Sequence, residues 1–458
     1  MAPNTSDITS LKGPAFDHIP PFAKAKLRPI AIEKIQQVYD FVEERIIPLE
    51  RLVSKTLEET PWATPQVIKD LREEAKRQGL WNLFLPNHFK ESPAGLTNLE
   101  YACCCELMGR CYWAQQVFNC HAPETGNMEL LAKYCTEQQK AKWLKPLMDG
   151  TASSVYSMTE PDQASSDATN ISIRMHKEGD EYVINGRKFF GNCLWNKEVK
   201  FLIVMVCSDP DNANPWKRHS TVIVPADSPG LRQIRNLTVL GYDWASEGHA
   251  EFVYDNVRIP AENIILGPGE GFTIAQGRLG PGRTHHCLRL LGHCERAIEL
   301  AIIRATDEKF KPRKKLLAQN DEVIGKIAAM RMELDAMRLI CYNACDTMDL
   351  MGNVAGRKAI AQAKVLVPVA IENIISECMQ IYGGTGLTQV TPLPKLWAYA
   401  RWARLADGPD AAHRHQVGRE ELKKGKELAA RHQKYNDKEK ELAAKHGVKL
   451  VLMPEDTL

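Results

Sequence analysis

The 458-residue sequence predicts an α+β fold with an N-terminal helical domain, a middle β-barrel-like domain and a C-terminal four-helix bundle. Two observations carry this prediction. Apolar residues recur at three- and four-residue spacing before about residue 150 and again after about residue 270. Between these regions the apolar runs are short, β-branched and alternating. The predicted domains cover residues 28–150, 151–268 and 269–425, and a charged C-terminal extension covers 426–458.

Composition excludes several classes of function. Hydrophobic residues make up 44% and charged residues 25% of the chain, as in globular proteins. The 59 basic and 57 acidic residues leave a net charge of +2, so no large field favours nucleic acid or an anionic membrane. No apolar run reaches the ~20 residues of a transmembrane helix. We therefore expect no nucleic-acid partner and no transmembrane segment.

The 13 cysteines indicate reduced thiols, because their number is odd and they form no CxxC pair. Cys103, Cys104 and Cys105 are consecutive, and consecutive side chains on a helix point in different directions. We interpret them as core thiols and expect no metal site. The sequence thus predicts an intracellular protein, and mitochondrial, peroxisomal and cytoplasmic locations all fit it.

The N-terminal region is helical in pattern. Ile32, Ile35, Tyr39, Val42 and Ile46 form one apolar stripe at helical spacing. Further helices are predicted from residue 64 to 79, from 100 to 111 and from 137 to 147. None of these segments carries a catalytic signature of its own.

The middle region is predicted to contain short strands at residues 155–159, 181–184, 200–207, 220–224 and 249–254. Asn185-Gly186 is predicted to form a turn. Two polar clusters, at residues 159–162 and 165–167, follow the first strand, where loops commonly carry function. An ordinary turn rich in serine and aspartate is the alternative interpretation.

The C-terminal region returns to helical spacing. Gly280-Pro281-Gly282-Arg283 is predicted to interrupt a helix, and Pro368 is predicted to bend another. Arg283 suits an anionic or carbonyl ligand group, with a surface ion pair as the alternative. Beyond residue 420 lysines alternate with acidic residues, which is typical of a solvated helix or tail.

The stretch from Gln380 to Arg414 combines a glycine turn, a helical run and an isolated acid. Gly383 and Gly384 can leave backbone N–H groups free, so a phosphate could bind there. The helical run stops at Gly408-Pro409, which places Asp407 at a helix end or in a tight turn. A simple helix cap and an ordinary turn are the alternative interpretations of the two features.

Three unusual strings occur in this order: TEPDQASSDATN at residues 159–170, LGPGRTHH at 279–286 and ADGPD at 406–410. With the order of domains, they make residues 30–420 resemble the acyl-CoA dehydrogenase family, and most closely the subgroup that includes its mammalian members ten and eleven. The resemblance implies an FAD-dependent enzyme of fatty acid β-oxidation. A carboxylate would remove the α-proton of an acyl-CoA thioester, the β-hydrogen would leave as hydride to the flavin, and trans-2-enoyl-CoA would form.

By resemblance Asp407 is the catalytic base, where most members of the family have glutamate. The aspartate is one methylene shorter, which leaves the acyl-chain preference open. The resemblance also implies that Gly280, Pro281, Gly282 and Gly408 lie at the substrate, and that Ser166 and Arg283 contact the CoA thioester arm.

The cofactor positions implied by the resemblance fall into five segments. Phenylalanine replaces the usual tryptophan at position 190, and Asp307-Glu308-Lys309-Phe310 stands where the family commonly has Arg-x-x-Phe. The segment that begins at Gln380 resembles one that binds FAD phosphates across a subunit boundary, which implies a homodimer or homotetramer. The implied cofactor-binding residues are Tyr156, Ser157, Met158, Thr159, Ser165, Ser166, Phe190, Gly191, Asn192, Gln380, Ile381, Tyr382, Gly383, Gly384, Pro409 and Asp410.

Three functions remain open on the sequence alone. The first is an acyl-CoA dehydrogenase that passes electrons to an electron-transfer flavoprotein or to oxygen. The second is an oxidase of the same fold, similar to nitroalkane oxidases, which also use aspartate as a base. The third is a non-catalytic flavoprotein of this fold, although the intact Asp407 argues against it.

Overall fold

The computed structural model describes residues 11–450, apart from the side chains of Leu279 and Pro281. Its elements follow the predicted order of helices, strands and helices. The helices are α1 (Pro21–Lys24), α2 (Pro29–Phe41), α3 (Glu50–Glu59), α4 (Gln66–Arg77), α5 (Asn98–Met108), α6 (Ala114–Val117), α7 (Glu124–Tyr134), α8 (Glu137–Gln139), α9 (Lys145–Asp149), α10 (Gly271–Thr306), α11 (Asp321–Tyr382), α12 (Leu393–Ala403), α13 (Asp410–Leu422) and α14 (Gly425–Lys445).

Helix α5 is the centre of the N-terminal domain. Thr97 caps it: its side chain accepts from the N–H of Glu100, and the Glu100 carboxylate accepts from the N–H of Thr97. All eleven residues of α5 are buried, including Cys103, Cys104 and Cys105. Because burial disfavours the thiolate, it raises the pKa of Cys105 to about 11. The three thiols are core residues, as the sequence predicts.

In the described part of the chain seven strands form one sheet in the order β1-β4-β2-β3-β7-β6, with β5 paired to β4. Strand β1 runs parallel to β4, whereas β3, β7 and β6 pair in antiparallel fashion. A second apolar core lies against this sheet, separate from the core of the helical domains. The strands are β1 (Ser153–Ser157), β2 (Arg174–Glu178), β3 (Glu181–Gly191), β4 (Val199–Cys207), β5 (His219–Pro225), β6 (Leu231–Asn236) and β7 (Ala250–Pro260).

The predicted turn at Asn185-Gly186 is wrong. Strand β3 continues through it to Gly191, with a shift in its pairing to β7 at this point. A β-bulge explains the difference, because it accommodates an extra residue without ending a strand. Gly186 has φ +149°, and a Cβ there would meet the Ile173 side chain. Strands β2 and β6 were not predicted, since most of their residues are exposed and polar.

The predicted helix break at residues 280–283 is also wrong, since α10 is continuous over its 36 residues. Packing explains this: α10 lies against α5, α7 and α11 along its length, and tertiary contacts override the local preference of a Gly-Pro-Gly sequence. At Gly292 and Gly109 the backbones of α10 and α5 meet so closely that a Cβ on either glycine would meet backbone atoms.

Helix α11 reverses direction at Gly352, which has φ +77° and ψ +167°. The two halves pack antiparallel, because Lys326 pairs with Glu377 at 3.0 Å and the Cys378 thiol lies 3.6 Å from the Met330 sulfur. Pro368 lies inside the second half without a non-helical residue beside it. Residues 321–387 are apolar enough to cross a membrane, but 61% of the most apolar window is buried inside the protein. Such burial is typical of a core helix in a bundle.

Candidate active site

A buried ion pair fixes the position of the chain just after β1. Lys188 is completely buried, and its ammonium donates to the carbonyl of Met158 at 2.6 Å and to Glu160 at 2.9 Å. The Glu160 carboxylate also accepts from the N–H groups of Ser172 and Ile173. Burial lowers the pKa of Lys188 to about 8, although the contact with Glu160 opposes this shift. The pair orders the turn that follows the predicted flavin segment, Tyr156 to Thr159.

Phe190 and Gly191 lie beside this segment at the end of β3. A Cβ on Gly191 would come within 2.7 Å of the side chains of Val155 and Phe252, so only glycine fits there. Phe190 has φ +62° and is 43% exposed, although it is a large apolar residue. An exposed ring held in a strained conformation next to β1 is available for stacking on a planar ligand.

Asp407 lies in the turn between α12 and α13 with φ +55°. Three side chains donate to carbonyl oxygens of this turn. Arg283 Nε donates to the Asp407 carbonyl at 2.9 Å, and His413 Nε2 lies 3.4 Å from the same oxygen. Lys364, buried on α11, donates to the carbonyl of Ala403 and lies 3.5 Å from that of Gly408. The turn of Asp407 is therefore held by two cations, Arg283 and Lys364, and by the imidazole of His413, whose pKa burial lowers to about 4.

The Asp407 carboxylate faces α10 and is only 18% exposed. Its Oδ1 lies 3.9 Å from Arg278 Nη1, and its Oδ2 lies 3.5 Å from His286 Nε2. Burial by itself raises the pKa of Asp407, but His286, Arg278, Arg283 and Lys364 outweigh it and hold the pKa below its ordinary value. Asp407 is thus an ionised carboxylate at neutral pH, in the form a general base requires.

Arg278 connects Asp407 to the predicted flavin segment. Its guanidinium lies 3.9 Å from the centroid of the Tyr156 ring and donates through Nε to Asn127 at 3.2 Å. The Tyr156 hydroxyl is buried with no hydrogen-bonding partner among the described residues. One arginine therefore contacts both Tyr156 near the end of β1 and the carboxylate of Asp407, which brings these two residues into the same region of the structure.

A chain of aromatic contacts links Phe190 to the surroundings of Asp407. Its ring lies 5.8 Å from that of His249, which stacks on Trp402 at 5.7 Å. Trp402 in turn meets His286 edge to face at 5.3 Å. Three contacts thus lead from the exposed phenylalanine to the imidazole beside Asp407.

The segment from Gln380 to Gly384 lies elsewhere. It spans the C-terminal end of α11, and Gly383 and Gly384 just beyond the helix are exposed with open space around them. Lys364, which contacts the Asp407 turn, is eighteen residues earlier on the same helix, or about 27 Å along its axis. Within one chain this turn is remote from the base, and a ligand that touches both would have to span that distance or reach across to a second subunit.

Arg304 contributes to this remote site. Its guanidinium stacks on the Phe310 ring at 3.1 Å and lies 5.6 Å from the centroid of Tyr382, and its Nε has no partner among residues 11–450. Asp307 occupies the position at which the family commonly has arginine. An arginine one helical turn earlier therefore brings a guanidinium to the glycine turn.

The other predicted site residues are placed as follows. The Ser165 hydroxyl accepts a hydrogen bond from the backbone N–H of Glu160 and donates one to its carbonyl. Ser166 is exposed. Asp410 begins α13 and pairs with Arg404 at 2.8 Å. The Ser157 hydroxyl forms a hydrogen bond with the Tyr254 hydroxyl. Gln380 is exposed, and Asn192 and Ile381 are partly exposed. Three glycines of the predicted substrate site are placed by what a Cβ on them would meet: on Gly282 it would lie 3.3 Å from Asp407 Oδ2, on Gly408 it would approach His413, and on Gly280 it would lie 3.9 Å from Asn353. Pro409 immediately precedes α13. The Pro281 side chain is outside the described residues.

Sequence reasoning missed four residues of this site: Arg278, His286, Lys364 and His413. Arg278 and Lys364 are charged residues on the buried faces of helices, and such residues are rarely buried without a partner. That pattern becomes visible only when the buried face of each helix is known. Among the described residues no group of three or more acidic, histidine or cysteine side chains could hold a metal ion.

Comparisons with known proteins show which family the chain belongs to. Family models of the acyl-CoA dehydrogenase N-terminal, middle and C-terminal domains match residues 33–151, 155–257 and 269–422. Acyl-CoA dehydrogenase family member 11 of Gallus gallus is 42% identical over 396 residues, which are 85% of this chain and 50% of that protein. Family member 10 of Mus musculus is 42% identical over 403 residues, 87% of this chain and 37% of that protein. The chain thus spans about half or less of the length of these relatives.

Solved structures share the whole fold. A Mycobacterium abscessus protein assigned to the acyl-CoA dehydrogenases is 41% identical, with a TM-score of 0.83, over 87% of this chain and 99% of that one. Butyryl-CoA dehydrogenase from Megasphaera elsdenii, at 23% identity and a TM-score of 0.74, shows the fold alone over 87% of this chain and 99% of that one. All three domains match in order, and the predicted fold class is confirmed. The chain belongs to the acyl-CoA dehydrogenase family.

Proposed function

We propose that this protein is an FAD-dependent acyl-CoA dehydrogenase in which Asp407 removes the α-proton of an acyl-CoA thioester and trans-2-enoyl-CoA is formed. The observation that carries the proposal is the Asp407 carboxylate, ionised and largely buried, beside the arginine that also contacts Tyr156. Family membership supports an oxidoreductase flavoenzyme in general.

The residues at the end of β1 and β3 fit a flavin. Gly191 lets β3 pack closely against the Val155 and Phe252 side chains, the Phe190 ring is exposed beside it, and the Tyr156 hydroxyl lacks a partner among the described residues. A solved structure of the same fold is an FAD complex of the protein PigA. Tyr156 to Thr159, Phe190 and Asn192 would hold the isoalloxazine ring. When bound, the flavin supplies the acceptor for the β-hydrogen, which leaves as hydride.

The protein's own part in the reaction is to take the α-proton and to tolerate negative charge. Asp407 accepts the proton, and the cations that hold its turn keep the carboxylate ionised before the reaction. Arg278 is buried and within 3.9 Å of the carboxylate. Its charge lowers the cost of the negative charge that develops on the thioester when the α-proton leaves.

The Gln380 to Gly384 turn and Arg304 support a homo-oligomer. An exposed glycine turn beside the Arg304 guanidinium suits a phosphate, yet the turn lies about 27 Å along α11 from Lys364, which contacts the Asp407 turn of its own chain. We infer that this turn binds the FAD phosphates of a partner subunit in a homodimer or homotetramer. Electron-transfer flavoprotein or oxygen then takes the electrons.

The proposal is tested by mixing the purified, FAD-loaded protein with straight- and branched-chain acyl-CoA thioesters without oxygen. At least one thioester should bleach the flavin absorbance and yield a product that lacks two hydrogens, detected by mass spectrometry. Nitroalkanes are tested in the same way without oxygen, and oxygen is then admitted to see whether it reoxidises the flavin. Bleaching by nitroalkanes and by no thioester would replace the dehydrogenase with an oxidase, and no bleaching by any compound would contradict both activities.

A further inference from the structure

The adjacent histidines His285 and His286 on α10 face different parts of the protein. The His285 ring meets the Tyr101 ring edge to face at 5.0 Å. The His286 ring instead places Nε2 3.5 Å from Oδ2 of Asp407. Both residues are at most 4% exposed, so solvent reaches neither ring freely. The pair therefore supplies one histidine at the base and one matched histidine away from it.

The other ring nitrogen of His286 defines its tautomer. Arg289 Nη2 lies 2.9 Å from His286 Nδ1, and the Tyr399 hydroxyl lies 3.1 Å from the same atom. A guanidinium has donors and no acceptor, so Nδ1 must be the acceptor of that bond. A neutral imidazole with a free Nδ1 lone pair carries its proton on Nε2. The N–H of His286 therefore points at the carboxylate of Asp407.

His286 also stays neutral in this environment. Burial and then the charge of Arg289 hold the pKa of His286 well below its ordinary value, although Asp407 opposes them. Arg289 is 1% exposed, and its Nε and Nη1 have no partner among the described residues, so its charge is not neutralised by a carboxylate. Protonation of Nδ1 would place two cations 2.9 Å apart. The contact with Asp407 is thus one between a neutral donor and a carboxylate.

We propose that His286 is a positioning residue for the base: a neutral imidazole, fixed in its Nε2–H tautomer by Arg289 and Tyr399, donates to Oδ2 of Asp407 and leaves Oδ1 to take the substrate proton. The inference rests on the proposed function and adds a residue to it. The 3.5 Å separation is long for a hydrogen bond, as is common before a substrate closes an active site. Only one oxygen of the carboxylate is engaged in this way.

Other titratable and charged groups also face Asp407, so the pKa of Asp407 depends on these groups as well as on His286. Arg283 and Lys364 act on its turn from α10 and α11 and remain in place in every variant below. His285 and Cys287, on either side of His286, make no direct contact with the carboxylate. The remaining groups that face it are Arg278 from α10, His413 from α13 and Tyr156 from β1.

The kinetic test compares three variants in anaerobic flavin reduction from about pH 3 to pH 8, because the pKa of Asp407 lies below its ordinary value. His286→Leu removes the donor, so the pKa of Asp407 rises and the rising limb of the pH profile moves up by about one unit. His286→Gln keeps an N–H near the position of Nε2 and should restore most of the wild-type profile. His285→Leu makes the same change on the adjacent residue and should leave the profile in place.

A second measurement needs no substrate. In protein with ¹⁵N-labelled histidine, the His286 signals, assigned by their loss in His286→Leu, should show a neutral Nε2–H ring from pH 5 to 8. A Nδ1–H tautomer, or protonation within this range, would overturn the proposal. So would a His286→Leu profile that matches wild type while wild type reduces its flavin normally. If no thioester reduces the wild-type flavin, the proposed function fails instead, and the NMR result still tests the tautomer.

Discussion

At the scale of single residues, the site depends on how Asp407 is held. It is a non-glycine residue at φ +55°, a conformation that costs energy unless its surroundings fix it. Arg283 and His413 contact its carbonyl oxygen, and Lys364 contacts the carbonyls of Ala403 and Gly408. The strain is thus offset by charged donors on the turn. This arrangement gives Arg283 a role that the sequence did not predict.

Arg283→Ala should slow flavin reduction by about ten- to a hundredfold, because a bond from a charged donor to the Asp407 carbonyl is typically worth about 1.5 to 3 kcal/mol. FAD content should stay near wild type. Stopped-flow reduction at several substrate concentrations separates the limiting rate from substrate affinity. Arg419→Ala, an exposed arginine on α13, is the control. A loss of substrate affinity with the limiting rate unchanged would show that Arg283 serves only the CoA arm.

The sequence could identify Asp407 as an isolated acid in a turn, but it could not identify what surrounds it. Arg278, His286 and Lys364 lie 129, 121 and 43 positions earlier in the chain and reach the turn only through packing of the bundle. A single sequence carries no signal for such long-range contacts. The glycine turn at Gly383 could be predicted from the sequence, because its conformation depends on neighbouring residues in the chain.

At the scale of elements, the contact between α5 and α10 fixes the position of the site. Gly109 and Gly292 allow the two backbones to touch, and Arg278, Arg283 and His286 all project from the same helix. The spacing of apolar residues predicted the helical regions correctly, whereas the predicted helix break at residues 280–283 did not occur. Its Gly-Pro-Gly sequence disfavours a helix locally, but contacts along the whole length of α10 outweigh that preference.

Gly292→Ala should destabilise the protein by about 1 to 3 kcal/mol, because the new methyl group would meet the backbone of Glu106 and Gly109. Gly418→Ala is the matched control on the exposed face of α13, where a Cβ meets nothing within 4 Å. There the gain in helix propensity should stabilise by about 0.5 to 1 kcal/mol. Chemical denaturation of both variants measures the two effects. Equal stability of Gly292→Ala and wild type would mean that the helices move apart freely.

At the scale of the whole molecule, the two halves of the predicted cofactor site lie far apart in one chain. Tyr156 is linked to Asp407 through Arg278, and Phe190 is linked to it through a chain of aromatic rings, whereas the Gln380 to Gly384 turn lies at the far end of α11. The sequence resemblance implied a site across a subunit boundary, and the length of helix between the parts favours it. One chain alone would then hold its flavin incompletely.

Arg304→Ala should weaken FAD binding about ten- to a hundredfold, because an unpaired guanidinium beside Tyr382 would be lost from the phosphate site. Arg313→Ala, exposed in the same connection between α10 and α11, is the control. Equilibrium dialysis gives the FAD affinity, and sedimentation gives the oligomeric state. A wild-type monomer with a full complement of FAD would exclude the arrangement across subunits.

The central claim is that Asp407 is the base, and Asp407→Asn tests it most directly. The change keeps size and removes basicity, so the variant should bind FAD and acyl-CoA normally. Its rate of anaerobic flavin reduction should fall by at least about a hundred- to ten-thousandfold, which is the usual cost of removing a general base. Stopped-flow absorbance of the flavin measures that rate. Reduction at the wild-type rate would contradict the account and place the base elsewhere.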